Sequence, residues 1–525
     1  MTISGEEMAT SAINNIHEEN NTYNFPENNT PVENLTPIQS FYNDQVLFIT
    51  GGTGFMGKIM LDKLLRSCPG IKTIYLLIRT KKGKNVEQRL NELFNDSIFD
   101  LMKKQVPDFK DKIQIISGDC SLLNLGIQPE DRKKVVENTN VIFHCAATVR
   151  FDEKLPLAVA INVRGTKELI DMAHDMKNLK VFVHVSTAYS NSNLPEIEET
   201  FYKPGMPAEN LIKLIECTGD KLGEEIAPKV IGTWPNTYTF TKAVAEDLVK
   251  RNGKSLPMVL FRPAIVIGTS KEPVSGWIDN LYGPTGIVVG VGAGIIRCLH
   301  ADPETVSDLV PVDLVVNAVL ATGWKRSQMG DIQDVPIYNY VSSHRNPINY
   351  GRFMELNMKY GRQVPSIKSV WCYTITLTKY RFVYELLAFF LHTLPAILVD
   401  MGLFVMRKKP KALKIYKTIS KFNDVLGYFS IRQWNFHDDN VVDLWKSISE
   451  KDKEIFQFDI TKLDWDVFFK NNIDGLRLYM FKDDPSTLPE ARKRMRKIEF
   501  AHVFIKYAVL GLVLYCLYQA FSLLF

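Results

Sequence analysis

The chain has 525 residues and a mass of 59.9 kDa, too much for one ordinary domain; at about 100–200 residues per domain it predicts two or three folding units. Hydrophobic residues make up 46% and charged residues 23%, which excludes global disorder and supports a large core. The 63 Lys and Arg against 59 Asp and Glu leave a net charge of only +4, too little over this length for a nucleic-acid binder. Residues 1–42 are rich in Asn, Glu, Thr and Ser, and read as a mobile tail. Apolar runs of strand length then recur at 45–50, 73–79, 112–119, 140–147, 181–189 and 257–268. Stretches with helical spacing lie between them, as at 57–67, 129–138 and 161–177. Continuous apolar strands alternating with helices predict a parallel sheet covered on both faces, a doubly wound α/β fold over residues 43–340.

After residue 350 the alternation stops, and 350–485 is expected to be a smaller, mainly helical domain. Within it, 386–406 is nearly apolar but interrupted by His392, Pro395 and Asp400. Its length allows a span; its polar interruptions equally allow a helix lying in the interface or an acyl-chain pocket. The last segment, 503–525, is expected to be a membrane anchor. Its residues 507–525 carry no charge and as a helix would rise about 28 Å, close to a hydrocarbon core. The preceding Arg-Lys-Arg-Met-Arg-Lys (492–497) predicts a body facing the cytosol. No apolar run stands near the start and no Lys or Arg precedes Lys58, so neither a signal peptide nor a transit peptide is expected. Seven scattered cysteines, none spaced Cys-x-x-Cys, point to a reducing compartment without a disulfide framework or metal cluster.

The chemistry is concentrated at the strand ends. The first strand runs into Thr50-Gly51-Gly52-Thr53-Gly54-Phe55-Met56-Gly57 and then a helix. Glycines at 51, 54 and 57 allow a tight turn, close approach of a pyrophosphate and tight helix packing. Where the second strand ends, an acidic residue would bind free ribose hydroxyls; Arg79 stands there instead, with Lys81 and Lys82 nearby, which favours the 2′-phosphate of NADPH. Asp119 ends the third strand at a place suited to an adenine amino group. Cys145, Ala146 and Ala147 end the fourth, small enough for a cofactor to approach the backbone.

Tyr238 and Lys242 are four residues apart on a predicted helix, so phenol and ammonium share a face. The cation is expected to lower the phenol's pKa toward the working range, and Tyr238 to donate a proton to a carbonyl oxygen. Ser186 or Thr187, ending the fifth strand, could bond the same oxygen. His144 and His184 sit inside apolar strands and read as core residues. Cys145 has no recognisable basic partner, so cofactor packing explains it better than nucleophilic catalysis.

Together these features resemble the extended short-chain dehydrogenase/reductase superfamily, and more closely the fatty acyl-CoA reductase family. The closer resemblance is carried by VSTAYSN (185–191), FRPAIVIG (261–268), EPVSGWIDNLYGP (272–284), HTLPAILVD (392–400) and FDITKLDWDVFFKNNIDGLRLYM (458–480). One departure is Phe at 468 and 469, where that family usually has a tyrosine nearby. The resemblance implies Pro263 beside a nicotinamide and two NADPH-dependent reductions in one site, from fatty acyl-CoA through an aldehyde to a primary alcohol. The anchor would place membrane lipid beside the body, in the endoplasmic reticulum or the peroxisome, since short apolar tails with basic flanks serve both. No metal is expected, and nothing in the sequence signals an oligomeric state. Two rivals remain: another membrane-associated extended dehydrogenase acting on a hydroxysteroid or sugar nucleotide, which should lack the strings at 392–400 and 458–480, and a non-catalytic NADPH sensor, whose function would survive Tyr238→Phe.

Overall fold

A computed structural model describes residues 35–81 and 83–522; Lys82 and most of the expected tail lie outside them. Seven parallel strands form the central sheet: β1 (Val46–Thr50), β2 (Thr73–Ile78), β3 (Ile113–Ser117), β4 (Val141–His144), β5 (Val181–Val185), β6 (Met258–Pro263) and β7 (Ile337–Tyr340). Their order is β7-β6-β5-β4-β1-β2-β3, which reverses direction at β1. In doubly wound sheets a ligand crevice opens at that reversal, outside the carboxyl ends of the strands. The inner strands are buried on both faces, as their unbroken apolar runs predict; all five residues of β1 and of β5 are buried, whereas the edge strand β3 is mostly half-buried.

The run 257–268 is not one strand. It breaks after Pro263, and Ile265–Ile267 leaves the main sheet to pair with Leu309–Pro311. A second difference concerns the tail, whose last residues are ordered. Thr36 and Gln39 form a reciprocal capping box and Pro37 opens a helix over Pro37–Tyr42. Ile38 and Tyr42, four apart, share one face and are fully buried. The Tyr42 hydroxyl donates to the Leu320 carbonyl at 2.7 Å. Average polarity concealed two apolar residues at helical spacing.

The segment beyond residue 350 is not packed as an independent body. Thr376–Thr378 pairs with Cys298–His300, and Asn435–Phe436 with Glu196–Ile197. Phe436, Phe456 and Phe458 lie in the same apolar cluster as Leu47 and Val183 of the sheet. A buried polar network strengthens the join. Lys63 donates to Glu272 at 2.7 Å and to the Ile455 carbonyl at 2.5 Å, while Asn317 donates to Glu272 and to the Gln457 carbonyl.

Two further helices matter for function, α1 (Phe55–Ser67) and α2 (Thr237–Asn252). Two others are long and apolar enough to cross a membrane, spanning Arg381–Val405 and Pro485–Gln519. Residues 523–525 of the expected anchor lie outside the described residues.

Candidate active site

The nucleotide end is built where β1 meets α1. Gly51 has φ +76°, and a Cβ there would lie 2.6 Å from the Ala146 nitrogen, so the turn and the end of β4 pack backbone to backbone. A Cβ on Gly57 would lie 2.3 Å from the Gly51 carbonyl oxygen, which requires glycine for α1 to approach the turn. Gly54 caps α1 without a side-chain hydrogen bond, so the cap leaves the opening N–H groups to a ligand. Thr50 ends β1 inward, its hydroxyl 2.7 Å from His144 Nδ1 and accepting from the Ala146 N–H at 3.3 Å. Phe55 stacks on the buried Trp277 with centroids 5.5 Å apart. These backbone approaches fit a dinucleotide pyrophosphate.

Arg79 follows β2, with its side chain 49% exposed and Nη1 3.6 Å from Asp119. Arg89 was not singled out by the sequence, yet its guanidinium donates to the Arg79 carbonyl. Burial, then the charge of Arg79, pushes the Arg89 pKa down. A guanidinium anchored on the Arg79 main chain, near enough to feel the Arg79 charge, fits with that of Arg79 around a doubly charged phosphate. The remaining Asp119 oxygen accepts from the Ser121 amide and hydroxyl, both at 2.9 Å.

The reacting end lies where β5 and β6 stop. Asn236 caps α2 by accepting from the Thr239 N–H at 2.9 Å, which fixes the first turn and Tyr238. The phenol lies beside Thr187, which holds its pKa down slightly, and its ring stacks on Phe151 at 5.9 Å. Lys242, one turn along, is buried and donates to the Val185 carbonyl at 2.6 Å. Burial lowers its pKa to about 8. Burial also raises Tyr238 to about 12, partly offset by Thr187. The expected lowering of the tyrosine by Lys242 is therefore not found: desolvation dominates, and the phenol stays protonated, as a proton donor must be.

The two strand-end hydroxyls part company. Thr187 faces Tyr238 and also donates to the Pro263 carbonyl at 3.4 Å. Ser186 instead donates to Glu246 at 2.5 Å. Glu246 is paired with the buried Arg262 at 2.6 Å, behind the reacting face rather than on it. The sequence reading overlooked both Glu246 and Asn162. Glu246 stands four residues beyond Lys242, a spacing that carried the signal. Asn162 lies in a π-helical turn and donates to Thr241 of α2 at 3.0 Å. Burial raises the Cys145 thiol to about 12, which removes it as a nucleophile at neutral pH. His144 is bonded on both ring nitrogens, to Thr50 and Thr166, as a core histidine should be.

Known proteins share this architecture. A family model described as male sterility protein matches residues 49–319, and a second of the same description matches 391–483. Among solved structures, the terminal reductase domain from the myxalamid biosynthetic pathway superposes with a TM-score of 0.57 at 18% identity, covering 84% of this chain and 93% of that one. A reductase domain of a nonribosomal peptide synthetase from Mycobacterium tuberculosis gives 0.54 at 18% identity, covering 86% and 94%. Both show the fold alone. Among curated sequences, the fatty acyl-CoA reductase wat of Drosophila melanogaster is 45% identical over 93% of this chain and 95% of its own length. Fatty acyl-CoA reductase 2 of Bos taurus is 35% identical over 90% and 92%. With both halves of the chain matched and relatives this similar over nearly its whole length, the protein is an oxidoreductase of the fatty acyl-CoA reductase family.

Proposed function

We propose that the protein reduces long-chain fatty acyl-CoA to a primary fatty alcohol with NADPH, through an aldehyde and with release of CoA. The observation that carries this reading is the placement of Tyr238 on α2, with the buried Lys242 one turn along and bonded to the Val185 carbonyl, beside Thr187 at the carboxyl end of the sheet. The turn over 50–57 would hold the pyrophosphate, Arg79 and Arg89 the 2′-phosphate, Asp119 the adenine, and Ala146, Ala147 and Pro263 the nicotinamide end. The dinucleotide, when bound, supplies hydride to the carbonyl carbon. Thr187 and Tyr238 hydrogen-bond the carbonyl oxygen, and Tyr238 delivers the proton as negative charge develops there. Lys242, one turn along α2 and bonded to the Val185 carbonyl, would bind the ribose hydroxyls at the nicotinamide end and carries its charge below about pH 8. Collapse of the resulting hemithioacetal expels CoA, and the aldehyde takes a second hydride and proton in the same site.

Residues 43–340 form the NADP-binding reductase part, 350–485 the part that completes the acyl site, and 503–525 the anchor. The basic run 492–497 keeps the body on the cytosolic side of an endoplasmic reticulum or peroxisomal membrane. Lipid beside the site would take up the apolar product. The test is NADPH consumption by the detergent-solubilised chain with acyl-CoAs of increasing length, with lipid products identified. Two NADPH per alcohol, lost in Tyr238→Phe, supports the scheme. One NADPH per aldehyde removes the second step, and no turnover on any acyl-CoA transfers the reading to another extended dehydrogenase.

A further inference from the structure

The helix spanning Arg381–Val405, α3, has two faces of opposite character. Its buried positions are Tyr384, His392, Ala396 and Asp400, spaced in multiples of four along one stripe. A π-helical turn over Phe389–Thr393 takes up the angular drift that a regular helix would accumulate over that length. The stripe is fastened to the body by polar bonds. His392 Nε2 accepts from the Arg297 N–H at 2.9 Å, and its ring stacks on Tyr416 at 5.0 Å. Asp400 accepts from the N–H groups of Lys411, Ala412 and Leu413 at 2.8, 2.9 and 3.0 Å, capping the following helix α4 (Ala412–Ser430). Moving α3 across a bilayer would strip these groups of their partners in a medium that replaces none of them.

The opposite face is open and apolar. Phe382, Phe390, Leu398, Met401 and Val405 are all exposed, Val405 to 80%, and Phe404, at the helix end beyond Asp400, is exposed as well. Directly after it, residues 407–421 contain Arg407 and six lysines and no Asp or Glu. All seven cations are exposed, and none forms an ion pair among the described residues. An apolar strip bordered by unpaired positive charge is complementary to an anionic phospholipid leaflet, where the strip enters the acyl boundary and the lysines meet headgroups. We infer that α3 is a second membrane contact of the in-plane kind: its outer face docks on the anionic cytosolic leaflet without crossing it. This deepens the membrane reading above and rests on it for the side of the bilayer.

The experiment uses the full chain in phosphatidylcholine vesicles with or without phosphatidylserine. Exposed Cys217 and Cys516 are replaced by Ser, and bimane is attached to a single cysteine introduced by Leu398→Cys, Phe404→Cys, Leu514→Cys or, on the reductase body, Leu123→Cys. Quenching is compared for lipids carrying a nitroxide near the carbonyl or near the chain end. At positions 398 and 404, the shallow nitroxide should quench about twofold more than the deep one, as expected for a helix buried about 5–10 Å. Position 123 should be unquenched, and Arg407→Gln with Lys408→Gln and Lys409→Gln should remove the gain that phosphatidylserine gives. Stronger quenching of 398 by the deep nitroxide means a span and overturns the inference. No quenching at 398 and 404 with deep quenching at 514 overturns it while the anchor stands; label self-quenching between copies would then assign the face to a second chain. Shallow quenching at 398 with none at 514 upholds the contact and refutes the anchor, and no quenching at either refutes both.

Discussion

Cofactor choice offers the sharpest test of the nucleotide end. Replacing Arg79 by Ala removes one of the two guanidinium groups assigned to the 2′-phosphate and leaves the glycine turn untouched. A charge-assisted hydrogen bond contributes about 1.5–3 kcal/mol when shielded from water. Arg79 is 49% exposed and already faces Asp119 at 3.6 Å, so part of that energy is screened or shared. About 1–2 kcal/mol remains, which corresponds to roughly a 5- to 30-fold loss in affinity. NADH lacks the phosphate and should lose less than about twofold, so the substitution is expected to compress the NADPH/NADH ratio rather than lower both. Adding Arg89→Ala should deepen the loss for NADPH alone. The assay is steady-state kcat/KM for each dinucleotide at fixed acyl-CoA, with direct binding by protein fluorescence. Equal losses for the two cofactors, or a parent enzyme that prefers NADH, would refute the assignment.

Three other outcomes follow from the same geometry. Gly51→Ala should abolish dinucleotide binding by calorimetry with the circular dichroism spectrum retained, because its Cβ would meet the Ala146 nitrogen at 2.6 Å and the left-handed backbone adds about 1–2 kcal/mol of strain; normal binding would sink the proposed turn. With Lys242 near 8 and Tyr238 near 12, kcat/KM should fall above about pH 8 as the ammonium loses its proton while the phenol keeps its own; Lys242→Arg should shift that limb upward, and an unmoved limb would assign it to another group. Glu246→Gln leaves the buried Arg262 guanidinium without its counter-charge, which costs about 3–5 kcal/mol. It should shorten the thermal-inactivation half-life sharply, and a double change with Arg262→Met should recover much of it; a single variant as durable as the parent would mean the pair carries no stability.

Most of the sheet was legible because both its faces are covered, so each strand is a continuous apolar run that composition alone reveals. What escaped depended on direction rather than content. Neighbouring residues at a strand end point to opposite sides, so the sequence could name Ser186 and Thr187 but not choose between them. Folding turns Thr187 toward Tyr238 and Ser186 toward Glu246. The break after Pro263 was hidden because Ile265–Ile267 is as apolar as β6, though it pairs with a different partner. Arg89 was invisible for another reason: its nearness to Arg79 arises only when the helix Val86–Phe94 folds back beneath the end of β2. The tyrosine's pKa goes up rather than down, and spacing hides this because it reports a cation one turn away but neither the burial of the phenol nor the turn of the ammonium toward the Val185 carbonyl.

The helix α4 gives the part beyond residue 350 a reason to exist in an enzyme whose glycine turn and proposed proton donor, Tyr238, both lie earlier in the chain. Its first turn is capped by Asp400, from the helix whose open face is apolar. Its far end carries Phe429, whose ring lies 5.6 Å from Phe151, and Phe151 in turn stacks on Tyr238. At about 1.5 Å per residue, its 19 residues join those two places over about 28 Å. Phe429 also meets Tyr189 edge-on at 5.5 Å, so the aromatic wall beside Tyr238 is shared between the two halves of the chain. A reductase part expressed without α4 would keep its glycine turn, Tyr238 and Lys242 but lose that wall. On the proposed mechanism such a site keeps Tyr238 but lacks one aromatic side beside it, so the truncated chain should lose acyl-CoA turnover while still binding dinucleotide.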